Sequence, residues 1–350
     1  MLKMRIERAP LKNGENRVIL EEYNRLTSGN IPMNEFVHWV RDNPSGPAWH
    51  AILETEGGRI VGHTSVFPLR TNFGEGRIVP AKSEYSFLHE NFRKERIRSY
   101  ENASQPGFII LLDQLFKHCQ EQGWGPIFAS TNEKNQVFTR KVGLRAVEFP
   151  LWECLLVLRP GKASRLTPNV TRWQRFSLLA AGALQRAGWS LAGPLVSSKG
   201  IRQAPVGRNG FAAESARLTF FEDSESLQWR YIKGQYVRFD VESTTGDFAI
   251  AKRGSPVRFL RVCQWKLGVT ERLSGLLAAL VRQARQDGAL GVRWAVYDGE
   301  PEAVELVKQL KLAGFLCARR TRIVMVHKKE DKYLAPSLWK MNDSLFSFDP

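Results

Sequence analysis

Residues 130–144 read STNEKNQVFTRKVGL, and the fold is legible from this stretch. The apolar run Ile127-Phe128-Ala129 leads into it as a strand and gives way to Asn132. The spacing then predicts a polar amphipathic helix over 133–142, with Val137, Phe138 and Val142 as its apolar positions. Gly143 can take the left-handed conformation that ends a helix, and Leu144 restores a large apolar residue.

Working outward, WHAILET and RIVGHTSVF within 49–67 read as two strands around the turn Glu56-Gly57-Gly58. A second turn at 72–76 leads to a long strand from Val79 to Leu88. After a charged loop, Pro106 opens the helix GFIILLDQLFKHCQEQG, which ends at Gly123. A strand over 125–129, the helix of 133–142 and a strand from Arg145 to Leu158 complete an α+β layout. The second half shows the same order: a hairpin Asp247–Lys252 and Val257–Trp265, a helix from Thr270 to Asp287, a strand Gly291–Tyr297, a helix Pro301–Leu312, and a strand Arg319–Val326. Asn34–Arg41 precedes the first sheet as Glu225–Tyr231 precedes the second. The offset of about 170–190 residues predicts two tandem copies of one fold. The predicted division is 1–160, a basic linker 161–213, 214–330, and a tail 331–350.

A chain of 350 residues with 43% apolar and 25% charged residues is ordinary for two globular domains. Cys119, Cys154, Cys263 and Cys317 are far apart in sequence and form no CxxC. This spacing argues against a disulfide framework or a zinc site and for a reducing compartment, so the cytoplasm is the expected location. No apolar run has signal-peptide or transmembrane length.

The net charge of +16 is unevenly spread: residues 159–213 hold nine Lys/Arg and no Asp or Glu. Such a block suits an anionic partner surface, or a solvated linker. Within it, Trp173, Phe176, Ala180, Ala183, Leu184, Ala187 and Leu191 share one face of a helical wheel, with Arg175 and Arg186 roughly opposite and Trp189 off the stripe. Two readings stand: a connecting helix whose apolar face packs on a domain, or an interfacial helix at an anionic membrane surface through 165–192.

The first half resembles the GNAT superfamily of N-acyltransferases. Asn132 stands at the family's Asn position, Asn135 at an Ala-like one, Phe138 at a Leu, Thr139 at a Tyr, and Gly143-Leu144 at Gly-Phe. The resemblance implies that acetyl-CoA or a longer acyl-CoA is the donor, with no metal. It also implies a catalytic role for the Tyr position, although Thr139 is a poor acid. The family's pyrophosphate loop falls on Phe92–Arg98. Here Arg93 and Ile97 fit, Lys94 lies between them, and Arg96 and Arg98 replace the glycines, so side-chain cations stand where backbone donors would. Glu84 and His89 are the candidate bases at the fourth strand, and the backbone of Phe87, Leu88 and His89 would meet the acyl carbonyl. The second half lacks both signatures and looks like a GNAT fold without a donor site. Trp39, Trp229, Arg230 and Tyr231 either line a substrate cleft or pack entrance helices onto the sheet.

WVRDNPSGP at 39–47, Gly62-His63 and the tail Trp339–Ser344 are similar to tandem acyltransferases of bacterial envelope and surface-polysaccharide assembly. The expected function is transfer of an acyl group from CoA to a primary amine, such as an amino sugar of an envelope precursor. Two alternatives remain: a Fem-type aminoacyl-tRNA-dependent transferase, and an inactive GNAT pair serving as a scaffold at a membrane surface.

Overall fold

The computed structural model describes residues 2–12, 14–27, 29–71, 78–92, 106–130, 136, 139–166, 179–180, 182–185, 187–189, 198, 200–206, 219–220, 223–232, 234–242, 246–267, 272–327 and 331–341. The first half contains β1 (Leu2–Arg8), α1 (Glu15–Thr27), α2 (Met33–Arg41), β2 (Trp49–Thr55), β3 (Ile60–Pro68), β4 (Val79–Leu88), α3 (Gly107–Glu121), β5 (Trp124–Ser130) and β6 (Leu144–Val157). After α4 (Pro160–Leu166) the second half follows with β7 (Ile201–Ala204), α5 (Ser224–Arg230), β8 (Tyr236–Val241), β9 (Phe248–Lys252), β10 (Leu260–Lys266), α6 (Leu273–Gln286), β11 (Gly291–Tyr297), α7 (Ala303–Leu312) and β12 (Leu316–His327). Gly143 has φ +84°, the left-handed stop read from the sequence, and Leu144 is buried behind it.

The α+β class and the tandem repeat are both observed. The match between copies differs by one strand from the sequence reading: the hairpin β2–β3 corresponds to β8–β9, and β4 to β10. β1, α1, α4, β7 and β8 are additions to the expected elements. β8, YVRFDV, alternates apolar and charged residues, a short pattern that the adjoining aromatic entrance helix masked.

All twelve strands form one sheet in the order β1-β2-β3-β4-β5-β12-β6-β11-β10-β9-β8-β7. Neighbours are antiparallel except β4–β5 and β10–β11, where α3 and α6 make the long crossover that a parallel pair requires. The centre of the sheet is exchanged. β5 pairs with β12 of the second half, and β6 lies between β12 and β11, so both of its neighbours come from the second half. β6 and β12 run antiparallel in register from Leu155 opposite Leu316 to Leu144 opposite His327.

That register places Cys154 directly opposite Cys317, at a Cα–Cα distance of 4.1 Å, and the two form a disulfide. The expectation of four unpaired thiols is thereby corrected. A separation of 163 residues hid the pair, because strand exchange rather than sequence proximity brings the residues together. Cys119 and Cys263 are free and buried.

Three cores flank the sheet. On its front face a shared core draws on α1, α2 and α5 and on both halves, with Phe36, Trp39, Phe67, Phe128, Trp229, Tyr231, Phe248 and Trp339 among its members. On the back face, α3 covers the first half through Ile109, Leu112, Leu115 and Phe116. There α6 and α7 cover the second half through Leu276, Leu280, Ala284, Leu306 and Leu310. The junction of β6 and β11 is the tightest point. A Cβ on Gly291 would lie 1.9 Å from the carbonyl oxygen of Leu156. Gly291→Ala is expected to destabilise the protein by about 3 kcal/mol, the upper end of overpacking costs. A fall in the urea midpoint at constant m-value would register it.

The connecting segment is helical over the described residues 179–180, 182–185 and 187–189. Its buried face is Gly182, Gln185 and Trp189, opposite to the predicted one. Gln185 accepts from Val157 N–H (2.8 Å) and donates to Gly314 O (2.7 Å), and Trp189 Nε1 donates to Ala313 O (3.0 Å). Gly182 lets the helix sit close against Pro160 and Val157. Polar anchoring therefore chose the face, and Ala180, Ala183, Leu184 and Ala187 of the predicted apolar stripe point to solvent, Leu184 at 76% exposure. Trp173, Phe176 and Leu191 lie outside the described residues. Among the described residues no helix is long and apolar enough to cross a membrane.

Candidate functional site

β4 and β5 begin as paired parallel strands, with Ala81 opposite Ile127 and Lys82 opposite Phe128, and their register ends there. β4 continues for six more residues on β3 alone, so the two strands part and leave a gap. A bulge in β4 marks the same place: the register steps from His63–Phe87 to Ser65–Glu84, giving β4 one extra residue. Tyr85 at the bulge has φ +54°, the one non-glycine residue with positive φ among the described residues.

Three side chains of β3 hold the bulge. His63 Nδ1 donates to Tyr85 O (2.8 Å), Ser65 Oγ donates to Glu84 O (3.0 Å), and Thr64 and Ser86 share a hydroxyl hydrogen bond (2.7 Å). A second histidine backs the first, with His50 Nδ1 2.9 Å from His63 Nε2. Both rings are fully buried. Desolvation lowers the His63 pKa to about 4, and desolvation with the field of His63 lowers that of His50 well below the usual value. Both are therefore neutral at pH 7. A carbonyl can only accept, so His63 carries its proton on Nδ1 and His50 donates from Nδ1 to His63 Nε2. His50 Nε2 is left as a buried acceptor without a hydrogen-bond partner among the described residues.

Beyond the bulge, His89 donates its N–H to Val61 O (2.9 Å). Alternation along the strand turns the N–H of Leu88 to the opposite edge, towards the gap, and that of Ser86 likewise. Of the backbone predicted to meet an acyl carbonyl, Leu88 faces the gap, while Phe87 and His89 face β3. The first turn of α3 opens at Gly107 after Pro106 with no side-chain cap, and Ile109 N–H donates to Pro106 O (2.9 Å).

The second half repeats the geometry. The β10–β11 pairing ends at Val262 opposite Trp294, and β10 carries an extra residue, Cys263, opposite β9. Parting parallel strands beside a bulged fourth strand, present in both halves, define a known architecture. Solved structures with it include a probable N-acyltransferase from Enterococcus faecalis V583, at 10% identity and TM-score 0.56, covering 93% of this chain and 72% of that one. A GCN5-related N-acetyltransferase from Kribbella flavida aligns at 13% identity and TM-score 0.53, over 93% and 71%. A tandem GNAT protein from the clavulanic acid biosynthesis pathway aligns at 12% identity and TM-score 0.52, over 93% and 98%. The chain has the tandem GNAT fold. No family model matches the sequence, and no curated protein matches it.

Within the GNAT fold the candidate residues separate. Glu84 is half-buried on the front face of β4 and forms an ion pair with Lys82, whose side chain is 1% exposed. His89 lies beyond the strand end, where Arg25 Nη2 (2.8 Å) and Arg59 Nη2 (3.4 Å) donate to its Nε2, with Glu22 at 3.5 Å. Thr139 is buried and donates its hydroxyl to Gln136 O (3.0 Å) on its own helical turn. Arg93, Lys94, Arg96, Ile97, Arg98, Asn132, Asn135 and Phe138 lie outside the described residues.

Trp39, Trp229, Arg230 and Tyr231 come together in the shared core, each at most 5% exposed. Trp229 Nε1 donates to His38 O (3.1 Å), and His38 Nε2 lies 2.8 Å from Trp229 O, so α2 and α5 clasp each other reciprocally. These aromatics join the two entrance helices. Sequence reasoning missed His50, His63, Ser65, Lys82 and Tyr85. The run of small and polar residues Gly62-His63-Thr64-Ser65 in a fully buried strand was the signal that could have found them.

Proposed function

We propose that the first half transfers an acyl group from acetyl-CoA or a longer acyl-CoA to a primary amine. The observation that carries this reading is the bulged, parted β4–β5 pair, which turns the N–H groups of Ser86 and Leu88 into an open gap. The residues fit the donor. The thioester oxygen would accept from those N–H groups, and the pyrophosphate would meet the uncapped start of α3 with Arg93, Lys94, Arg96 and Arg98 just before it in sequence. A neutral amine attacks the thioester carbon; the N–C bond forms, the C–S bond breaks, and CoA leaves as thiolate. Glu84, on the front face beside the gap, is positioned to take the amine proton, and Lys82 fixes its carboxylate. Thr139 has its proton engaged by Gln136 O, so the thiolate is protonated by solvent. An amino sugar of an envelope precursor remains the proposed acceptor class.

Isothermal titration with CoA and acetyl-CoA tests the reading. Saturable heat at micromolar to millimolar ligand is expected; no heat and no thermal shift at millimolar ligand would sink it.

We also propose that the protein docks peripherally on anionic membranes through the connecting helix. Leu179 and Leu184 face solvent on the helix that Gln185 and Trp189 anchor to the turn at 313–314, and Leu312 and Leu316 flanking that turn are exposed. The surrounding segment supplies nine cations and no anion, which matches a negatively charged bilayer. Leu184→Asp is expected to abolish co-sedimentation with phosphatidylglycerol vesicles while leaving the melting temperature intact. Undiminished sedimentation of that variant would remove the idea.

A further inference from the structure

The hydrogen bonds behind the β4 bulge run in one direction. His50 Nδ1 donates to His63 Nε2 (2.9 Å), and His63 Nδ1 donates to Tyr85 O (2.8 Å). The Tyr85–Ser86 peptide is trans, so its N–H points away from its carbonyl and hence away from His63. That N–H is one of the two that face the gap. Two rings and one peptide thus form a single line of donors and acceptors, which ends at the opening between β4 and β5. Hydrogen bonds in such a line polarise one another: a carbonyl that accepts makes the N–H of its own peptide a better donor. The Ser65 bond to Glu84 O (3.0 Å) and the Thr64–Ser86 hydroxyl bond (2.7 Å) hold the residues on either side.

A bulge here does not need this line. In the second half, the β9 residues that face the two sides of the β10 bulge are Ala251, opposite Val262, and Ile250, opposite Gln264. Neither side chain can form a hydrogen bond, yet β10 carries its extra residue at Cys263 all the same. The shape of the strand therefore does not explain the histidines. They also destabilise the core. Both rings are fully buried, and the rear end of the line, His50 Nε2, is an acceptor with no hydrogen-bond partner among the described residues. Tyr85, whose carbonyl the line reaches, is held at φ +54°, a left-handed conformation unfavourable for a side chain with a Cβ. Folds keep such features where local geometry serves a ligand.

We propose that His63, backed by His50, is a positioning residue for acyl transfer: through the Tyr85–Ser86 peptide it aims and strengthens the Ser86 N–H as a donor to the thioester oxygen. The rings themselves never touch the acyl donor. They act on the peptide whose N–H meets that oxygen while negative charge develops on it. Both rings keep their protons throughout. The proposal rests on the acyl-donor reading above and adds what sets the strength of its carbonyl-binding group. The second half, with Ala251 and Ile250 in the corresponding places, has the gap and the bulge without the line, in keeping with its lack of donor signatures.

The test uses acetyl-CoA labelled with carbon-13 at the thioester carbonyl, on the wild type, His63→Phe, His63→Asn and His50→Leu. Isotope-edited infrared spectra read the carbonyl stretch, and calorimetry reads the affinities for acetyl-CoA and for CoA. In the wild type the bound stretch is expected below its value in solution, because a strong donor weakens the C=O bond. His63→Phe should return the stretch towards the solution value. It should also lower the ratio of acetyl-CoA to CoA affinity about two- to tenfold, the range for one hydrogen bond, while CoA itself binds as before. His63→Asn keeps an N–H near the place of Nδ1 and should restore most of both readings. Should His63→Phe fail to fold, His50→Leu, which removes only the rear donor, gives the same comparison at smaller amplitude. A purely structural role predicts lower melting with the stretch and the affinity ratio unchanged, and that result overturns the proposal, as does equal loss in His63→Phe and His63→Asn. A wild type that binds neither ligand sinks the acyl-donor reading and this proposal with it; binding of both with an unshifted stretch overturns this proposal alone.

Discussion

Acidification from pH 7 to pH 4 is expected to remove about 3 kcal/mol of stability through His63 alone, with His50 adding to it. Both rings are fully buried and neutral, and their folded pKa values lie below the ordinary value, about 4 for His63. An unfolded chain binds protons at these sites from about pH 6.5 downwards, whereas the folded chain binds none until near pH 4. The stabilisation is therefore complete above pH 6.5 and is lost progressively as pH falls, at about 1.4 kcal/mol per unit for each ring. Protonation would also set two positive charges 2.9 Å apart and break the His50–His63 hydrogen bond. Urea unfolding at each pH unit from 7 to 4 measures the slope. A His50→Gln/His63→Gln variant should flatten it, and equal slopes in the two proteins would refute the assignment.

Cutting the chain between the halves is expected to have an all-or-none effect. Residues 1–160 made alone should not fold. β5 would lose β12, β6 would lose both neighbours, and the front core would lose Trp229, Tyr231 and Trp339. An open central edge and an uncovered core cost far more than the few kcal/mol by which domains are stable. Co-expression with residues 161–350 should restore a folded complex, joined by the Cys154–Cys317 bond on a non-reducing gel. Amide dispersion in heteronuclear NMR spectra separates the outcomes. A cooperative, well-dispersed monomer from residues 1–160 would contradict the exchange.

Much of the fold was legible locally. Val79–Leu88 and Gly291–Tyr297 have the bounds that alternation and turn residues predicted, and the helix from Gly107 ends beside Gly123 as expected. Each is decided by neighbours in sequence, through apolar period, a proline start or a glycine stop. What escaped was decided across the sheet. No local pattern says that the strand after Gly143 leaves its own half, so the partner of Cys154 could not be read from spacing.

The candidate site divides the same way. Glu84 was legible as a carboxylate inside the fourth strand, but its partner Lys82 was not singled out from the sequence. Gly62-His63 was legible only as part of a family resemblance, and His50 was not singled out; register sets the two histidines side by side. Of the two readings of the connecting helix, the one that packs its apolar stripe on a domain assumed that hydrophobicity chooses the buried face, and over the described residues it does not. Gln185 and Trp189, bonded to backbone groups at the end of β6 and in the 313–314 turn, outweighed a stripe of alanines.

The exchanged strands also bear on how such a chain can change over time. Neither half owns a complete sheet, so neither can be deleted, and a duplicate that loses its chemistry cannot simply be discarded. The second half is retained for its last strand whatever happens at its own gap. As long as β12 keeps its register on β6, the rest of the second half can change without opening the shared sheet.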